Sequence, residues 1–306
     1  MGFFSNVSNF FYEARIRSWD VVLTLLNLVE KKRRIGGVTP EGHPGYGRHW
    51  PEFKPPGETD SRCSCPGLNA LANHGIISRS GRDISFVELD RHVQATYNIS
   101  STLSSFVAHY AARMLKKSFN RDTLDLEELD LHNGIEHDAS LLRLDAAFEP
   151  NQSTKHVPYI EELLAAASNK DKDGNDVVTV KDLSKLLGKR RAVSRAVNKE
   201  FTLKLFHKLF GCAKYLISSS VSEHNPNHLV SASLLLSTMG GRVDDLQSFL
   251  LHEQLPEGWE SRVRDSHGLT LINFNKLALK IELGVHEKDW AQVAQEAAEH
   301  DRATPV

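Results

Sequence analysis

Residues 63–75 read CSCPGLNALANHG and residues 136–140 read EHDAS, and these two stretches decide the fold. In the first, Pro66 follows Cys65, and proline is favoured at the first position of a helix, where its missing N–H would have no partner anyway. The order of residues therefore predicts a helix that begins directly after Cys65, with the sulfur at its positive end. That end stabilises a thiolate and offers backbone N–H donors to the sulfur, as an axial iron ligand requires.

Composition excludes several classes of protein. The chain has 306 residues, a formal net charge of −2 and three cysteines, Cys63, Cys65 and Cys212. Three cysteines cannot build a disulfide framework, so we expect a protein that does not depend on an oxidising compartment. The small net charge gives no electrostatic footprint for nucleic acid, and we predict no nucleic-acid partner.

The N-terminal segment is aromatic and apolar and ends in a basic cluster. The run VVLTLLNLV at 21–29 is followed by KKRR at 31–34. Because the run is shorter than a membrane span, residues 3–34 predict an amphipathic helix on an anionic membrane surface. The alternative is packing on the body of the protein or on a second subunit of a homodimer. No secretory signal is recognised, so we expect an intracellular protein, peripheral on an internal membrane.

The rest of the chain divides by composition and by hydrophobic period. Residues 36–62 are rich in glycine and proline and predict a loop that follows the N-terminal helix of residues 1–35. Apolar residues then recur at three- and four-residue spacing through residues 63–285, and long alternating runs are missing. We therefore predict an all-α fold with a single helical domain over 63–285, and a C-terminal helix and tail over 286–306.

Two further strings, NKEFTL at 198–203 and LPEGW at 255–259, extend the pattern. Together with the first two stretches they resemble the fungal haem-thiolate peroxidase family that includes chloroperoxidase and the unspecific peroxygenases. The resemblance covers residues 44–260 and leaves both ends of the chain uncovered. It implies a helical domain that encloses haem b, with Cys65 as the axial ligand of the haem iron.

The same resemblance assigns roles within EHDAS. Glu136, Ser140 and the backbone carbonyl of His137 would hold a magnesium ion against a haem propionate, with the hard oxygen ligands that such an ion takes. The side chain of His137 would point into the distal pocket, and Asp138 would orient its imidazole.

Proton transfer to peroxide needs an acid–base group, which in the family is a glutamate in a context like FGEA. Here the matching segment reads KLFGCAKYL at 208–216 and places Cys212 at that position. A thiol, with an ordinary pKa of about 8.5, transfers protons less readily than a carboxylate at neutral pH. His137, His207 and Glu200 are the other groups that would take this role.

Three functions follow as hypotheses. The first is a haem-thiolate peroxidase or peroxygenase that uses peroxide to oxidise a lipophilic or aromatic metabolite, by analogy in fungal secondary metabolism. The second, suggested by Cys212, is a haem-thiolate enzyme with weak hydrogen peroxide activation that acts on organic hydroperoxides or catalyses a redox-neutral rearrangement. The third is a non-catalytic haem- or metal-binding protein, in which Cys63, Cys65 and His74 would hold zinc.

Overall fold

Helices form the framework of the computed structural model, which describes residues 3–203 and 232–303. They are α1 (Phe3–Val29), α2 (Pro66–Asn73), α3 (Phe86–Tyr97), α4 (Ser101–Met114), α5 (Val157–Ala165), α6 (Val180–Val197), α7 (Val243–Leu251), α8 (Leu271–Glu282) and α9 (Ala291–Ala303). Short 3-10 turns occupy Tyr46–Arg48, Leu126–Asp130 and Glu287–Trp290, and a π turn occupies Leu235–Met239.

Strands in the described residues are limited to two short antiparallel pairs. The first joins β1 (Ile84–Ser85) to β2 (Thr123–Leu124), and the second joins β3 (Asn169–Lys170) to β4 (Asp176–Val177). The first pair joins the segment before α3 to the segment after α4, and the second closes the turn between α5 and α6. Both pairs add little to the framework. The predicted all-α class, with a helix at the N-terminus, is confirmed.

Some helices begin with a side-chain cap, whereas α2, α5 and α7 begin without one. Ser85 and Ser100 accept a backbone N–H at the starts of α3 and α4, and Thr179 forms a capping box at the start of α6. At α2 the N-cap residue is Cys65, followed by Pro66, and no side chain caps the first turn. The N–H groups of that turn are therefore directed at the position that the cysteine sulfur occupies.

One buried apolar core connects the helices. It includes Ile16 of α1, Leu71 of α2, Phe86 of α3, Phe249 of α7 and Phe274 of α8. Each such side chain stabilises the fold by roughly 1.5–3 kcal/mol relative to its exposure to water. The helices α2, α3, α4, α7 and α8 all contribute to the wall of the same central cavity.

Polar contacts fix α1 to the body. Asp20 accepts the backbone N–H groups of Leu271 and Ile272 at the start of α8, each at 2.9 Å. Asn27 donates to the carbonyl of Gly268 at 3.0 Å. The helix therefore packs on the body of the protein, which was one of the alternatives for this segment. Within the described parts of the chain, no helix has both the length and the apolar character that crossing a membrane requires.

Candidate active site around Cys65

A largely apolar cavity lies at the centre of the helices. It contains about 2070 Å³ of space free of protein atoms, part of it open to solvent. Cys65 lies in its wall together with Glu136, His137 and Ser140 of the EHDAS segment, while aliphatic and aromatic side chains form most of the remaining surface. An apolar cavity with a few convergent polar groups is the usual form of a cofactor or ligand site.

The sulfur of Cys65 lies at the N-terminus of α2, as the sequence predicts. Burial raises the pKa of the Cys65 thiol, and hydrogen bonds from the backbone N–H groups of Leu68 and Gly67, with the charge of Arg143, oppose that rise. The helix end thus acts in the expected direction, but burial outweighs it. A coordinating metal ion is the influence that deprotonates such a thiol outright.

Asn69 holds the turn that leads into Cys65. Its Oδ1 accepts the backbone N–H of Cys63 at 3.0 Å, and its Nδ2 donates to the carbonyl of Cys63 at 2.8 Å. The same Nδ2 donates to Oε1 of Glu253 at 2.9 Å. Cys63 is fully buried, and burial raises the pKa of its thiol well above the ordinary value. The polar groups of this segment are therefore satisfied within the protein.

The alternative of zinc on Cys63, Cys65 and His74 is wrong. Nδ1 of His74 lies 2.6 Å from the carbonyl oxygen of Pro51, and Nε2 accepts the backbone N–H of Leu255 at 3.1 Å. Both ring nitrogens are thus engaged in structural hydrogen bonds. Among the described residues, no group of three or more His, Cys, Asp or Glu side chains is placed to hold a metal ion.

Glu136 is buried, and only one of its oxygens has a partner. Oε2 lies 2.6 Å from Nδ1 of His132, whereas Oε1 has no hydrogen-bond partner in residues 3–203 and 232–303. Burial raises the pKa of Glu136 to about 7, and the hydrogen bond with His132 opposes that rise. A buried carboxylate oxygen without a partner is costly, and it is also the kind of ligand that a magnesium ion takes.

His137 reaches the cavity, but its contact with Asp138 differs from the prediction. Nδ1 of His137 lies 2.9 Å from the backbone carbonyl oxygen of Asp138. The Asp138 carboxylate instead accepts the backbone N–H of Thr202 at 2.9 Å, and its second oxygen has no hydrogen-bond partner among the described residues. Asp138 therefore contacts the imidazole through its backbone carbonyl and not through its carboxylate.

The turn responsible lies at Ala139, whose φ of 61° is in the left-handed region that side chains with a Cβ disfavour. The backbone N–H of Ala139 donates to Oδ1 of Asp145 at 2.8 Å. Asp145 also accepts from Ser194 at 2.9 Å and from Asn198 at 3.0 Å, at the end of α6. A buried carboxylate that the sequence did not single out thus fastens the EHDAS segment to α6.

Arg143 is a second residue that the sequence did not single out. Its side chain is 2% exposed and lies in the wall of the cavity. Nη2 donates to Oε1 of Glu253 at 3.1 Å and to the carbonyl of Ser64 at 3.4 Å, whereas Nε and Nη1 have no hydrogen-bond partner in the part of the chain that the structure describes. Two donors of a buried cation therefore lack partners beside the cavity, and an acidic group is what such donors bind most strongly.

Comparison with known proteins identifies the family. The model of the family described as peroxidase, family 2 matches residues 49–264, most of the chain. The chain belongs to peroxidase family 2. The resemblance to the fungal haem-thiolate peroxidases is thereby confirmed, and haem is the cofactor that this family implies.

Three relatives show how far the similarity extends. An aromatic peroxygenase of Cyclocybe aegerita is 30% identical over 182 residues, 54% of this chain and 45% of that protein. Chloroperoxidase of Leptoxyphium fumago is 54% identical over 44 residues, 14% of this chain and 12% of that protein. Dothistromin biosynthesis peroxidase dotB of Dothistroma septosporum is 29% identical over 128 residues, 37% of this chain and 31% of that protein. The chain thus spans less than half the length of each of these relatives.

The residues of this family member fit a haem. The cavity is apolar, its wall carries a buried thiol with two backbone N–H donors, and Glu136 and Arg143 each present polar atoms without partners. These features suit a large apolar macrocycle that has an iron centre and carries acidic side groups. The fit rests on this chain's own donors and on its cavity.

The predicted acid–base position, residue 212, is outside the residues that the structure describes. Cys212 and His207 lie outside the described residues, so the role of Cys212 stays a prediction from the resemblance. Glu200, the other candidate, is exposed and does not contribute to the cavity wall. Its place at the surface contradicts an acid–base role in this cavity.

Proposed function

We propose that this member of peroxidase family 2 is a haem-thiolate peroxidase or peroxygenase that uses peroxide to oxidise or oxygenate a lipophilic or aromatic molecule. One observation carries the proposal: Cys65, at the N-terminus of α2, shares an otherwise apolar cavity with Glu136, His137 and Ser140. A haem bound there would activate peroxide, because an axial thiolate donates electron density to the iron and favours O–O cleavage.

Cys65 is the proposed axial ligand, and the backbone N–H groups of Gly67 and Leu68 stabilise negative charge on its sulfur. Glu136, through its unpartnered Oε1, is the proposed magnesium ligand, with Ser140 and the backbone carbonyl of His137. A magnesium ion at that position would neutralise a buried carboxylate that is otherwise held near a pKa of 7.

His137 is the proposed proton carrier within the described residues. The carbonyl of Asp138 accepts only, so its contact with the ring places the proton of the neutral imidazole on Nδ1 and makes Nε2 the basic nitrogen. An imidazole has an ordinary pKa of about 6.5, so it can accept a proton from peroxide and return it near neutral pH. Cys212 is proposed, from the resemblance alone, to stand where the family has its glutamate.

The substrate class follows from the walls of the cavity. Beyond the polar groups at Cys65 and EHDAS, side chains such as Val93, Phe106 and Phe274 line the space. Such a surface favours a lipophilic or aromatic molecule over a highly charged one. A relative named as a biosynthetic peroxidase supports, by analogy, a role in fungal secondary metabolism.

A second function is favoured by Cys212, which replaces a carboxyl group in the string KLFGCAKYL. A thiol at that position would slow the activation of hydrogen peroxide, so the enzyme would act on organic hydroperoxides or catalyse a redox-neutral rearrangement. The two functions differ in the oxidant that the enzyme accepts.

The test is a comparison of peroxide consumption by the haem-loaded protein with hydrogen peroxide and with an organic hydroperoxide, in the presence of an aromatic substrate. We expect His137→Gln to slow consumption by about 100-fold, as loss of a general acid–base group does. His300→Gln, an exposed histidine on α9, is the matched control and should be neutral.

Four outcomes distinguish the proposals. Faster use of hydrogen peroxide by Cys212→Glu would support the acid–base position of Cys212, and no change would show that the position is wrong. Turnover with the organic hydroperoxide alone would favour the second function. A haem-loaded protein that consumes neither oxidant would overturn the peroxidase function and the use of organic hydroperoxides, and would leave only the redox-neutral rearrangement.

A further inference from the structure

Both faces of α1 carry apolar residues, because Ile16 and Leu23 are buried against the body while other apolar side chains are exposed. Its inward face carries the buried polar residues Asp20 and Asn27, which bond to the start of α8 and to the loop before it. Its outward face carries Leu25, Leu28 and Val29, which are 57%, 77% and 80% exposed. A helix of a soluble protein normally directs its apolar stripe to the core.

Most of the exposed apolar residues of α1 lie in its C-terminal half, and Phe11 lies on the same side nearer its start. Phe11, Val22, Leu25 and Val29 are all exposed, and their spacing of three, four and eleven residues places them on one side of a helix. Ile35, 69% exposed, continues the apolar surface beyond the end of the helix. Contiguous exposed apolar surface of this kind is rare on a monomer and marks an interaction site. We call Phe11, Val21, Val22, Leu25, Leu28, Val29 and Ile35 the α1 stripe.

Basic side chains accompany the α1 stripe. The exposed cations between residues 11 and 35 are Arg15, Arg17, Lys31, Lys32 and Arg34.

The carboxylates near this segment offset part of this charge. Asp20 is buried, Glu13 pairs with Arg17 at 2.7 Å, Asp265 pairs with Lys32 at 2.6 Å, and Glu30 lies 3.0 Å from the imidazole of His267. The surface that surrounds the α1 stripe therefore keeps a net positive charge, to which Arg15, Lys31 and Arg34 contribute.

Charge decides between two occupants of this surface. In a symmetric dimer through the α1 stripe, Lys31 and Arg34 would face their own copies if the helices were parallel and the segment around Arg15 if they were antiparallel, and like charges across an interface are unfavourable. An anionic lipid surface offers apolar acyl chains to the stripe and negative headgroups to the cations.

We propose that α1 docks the protein on an anionic membrane surface, with the helix lying in the plane of the interface and the α1 stripe inserted below the headgroups. The proposal concerns how the protein is placed at a membrane, and it does not depend on the reaction proposed for the cavity. Its test therefore needs no catalytic readout.

The experiment is sedimentation of the full-length, haem-loaded protein with vesicles of phosphatidylcholine alone or with phosphatidylserine added. We expect binding to the anionic vesicles, weakened by salt. Leu25→Ser and Leu28→Ser should each lower the partition coefficient about tenfold, because each removes apolar surface from the acyl region. Lys31→Glu and Arg34→Glu should each lower it at least fivefold, since one basic residue near the surface contributes about that factor.

Matched controls separate the α1 stripe from general surface properties. Leu283→Ser removes a leucine that is 72% exposed at the end of α8, and Lys172→Glu reverses an exposed lysine between β3 and β4. Both controls should bind like the wild type, and all variants should keep the haem absorption spectrum. The proposal would be overturned by a wild type that ignores anionic vesicles. The proposal would also fail if light scattering showed that the wild type is a dimer and Leu25→Ser a monomer, while both proteins bound vesicles equally.

Discussion

The Cys65 segment and the EHDAS segment line the same cavity, yet they differ in how completely the protein satisfies their polar groups. Around Cys63 and Cys65, Asn69 pairs the backbone in both directions. In EHDAS, by contrast, Glu136 and Asp138 each keep a buried carboxylate oxygen that has no hydrogen-bond partner among the residues described. The first segment is a self-supporting frame for the sulfur, and the second leaves buried charge for a bound group to complete.

The largest expected effect is the difference between replacing Cys65 and replacing Cys63. Cys65→Ala should abolish the red-shifted Soret band of the reduced protein with carbon monoxide, because it removes the proposed axial thiolate. Cys63→Ala should keep that band and cost about 1 kcal/mol of the free energy of unfolding, as expected for a small buried side chain. Absorption spectra and denaturant unfolding of both variants are the measurements. An unchanged Soret band in Cys65→Ala would exclude the proposed ligand.

Arg143 links the two segments, so its removal tests whether the frame depends on EHDAS. Arg143→Met leaves the Glu253 carboxylate buried with Asn69 and, at 3.7 Å, Lys155 as its remaining partners. We expect a loss of roughly 3 kcal/mol of the free energy of unfolding, as for a broken buried ion pair, together with weaker haem retention.

The matched control for Arg143 is Arg191→Met, which breaks the buried pair of Arg191 with Glu282 between α6 and α8. It should destabilise the protein to a similar degree and leave the haem spectrum and haem affinity unchanged. Equal haem loss in both variants would show that Arg143 acts only through global stability.

The pH dependence of the free energy of unfolding tests the role of Glu136 in the EHDAS segment. Burial raises the pKa of Glu136 to about 7, above the ordinary glutamate value, so the folded state disfavours its ionised form. The free energy of unfolding of the haem-free protein should therefore fall as pH rises from about 4.5 to 7. Glu136→Gln should remove this fall, which is on the order of 2 kcal/mol.

The measurement for Glu136 is urea unfolding of wild type and Glu136→Gln at pH 5 and pH 8. Addition of haem and magnesium should reverse the order at pH 8, because the wild-type carboxylate then has its cation. The affinity for magnesium should be about tenfold lower in Glu136→Gln than in the wild type. The same pH dependence in both proteins would contradict the assigned role.

The contrast between the segments also explains what the sequence predicts. The position of Cys65 follows from one local rule, proline at the first position of a helix, and α2 begins at Pro66 as that rule predicts. The direction of the Asp138 carboxylate depends on a left-handed turn and on Thr202, which lies 64 residues away. No local sequence pattern predicts a contact between residues so far apart along the chain.

Residues whose partners lie far along the chain could not be predicted from the sequence for the same reason. Arg143 and Glu253 are separated by 110 residues, and each alone looks like an ordinary surface charge. For α1, the hydrophobic run predicted an amphipathic helix and left its partner open. The burial of Ile16 and Leu23 and the hydrogen bonds of Asp20 and Asn27 show which face contacts the body.

The smallest expected effect concerns the turn that aims EHDAS. Ala139 has a φ of 61°, so Ala139→Gly should relieve left-handed strain and raise the free energy of unfolding by roughly 0.5–1 kcal/mol. Ala196→Gly, at an exposed position within α6, is the matched control and should lower it by about 1 kcal/mol. Denaturant unfolding gives both values. A gain of stability in Ala139→Gly and a loss in Ala196→Gly would show that the backbone of the EHDAS segment is strained at Ala139. A loss of stability in both variants would show that this turn is unstrained.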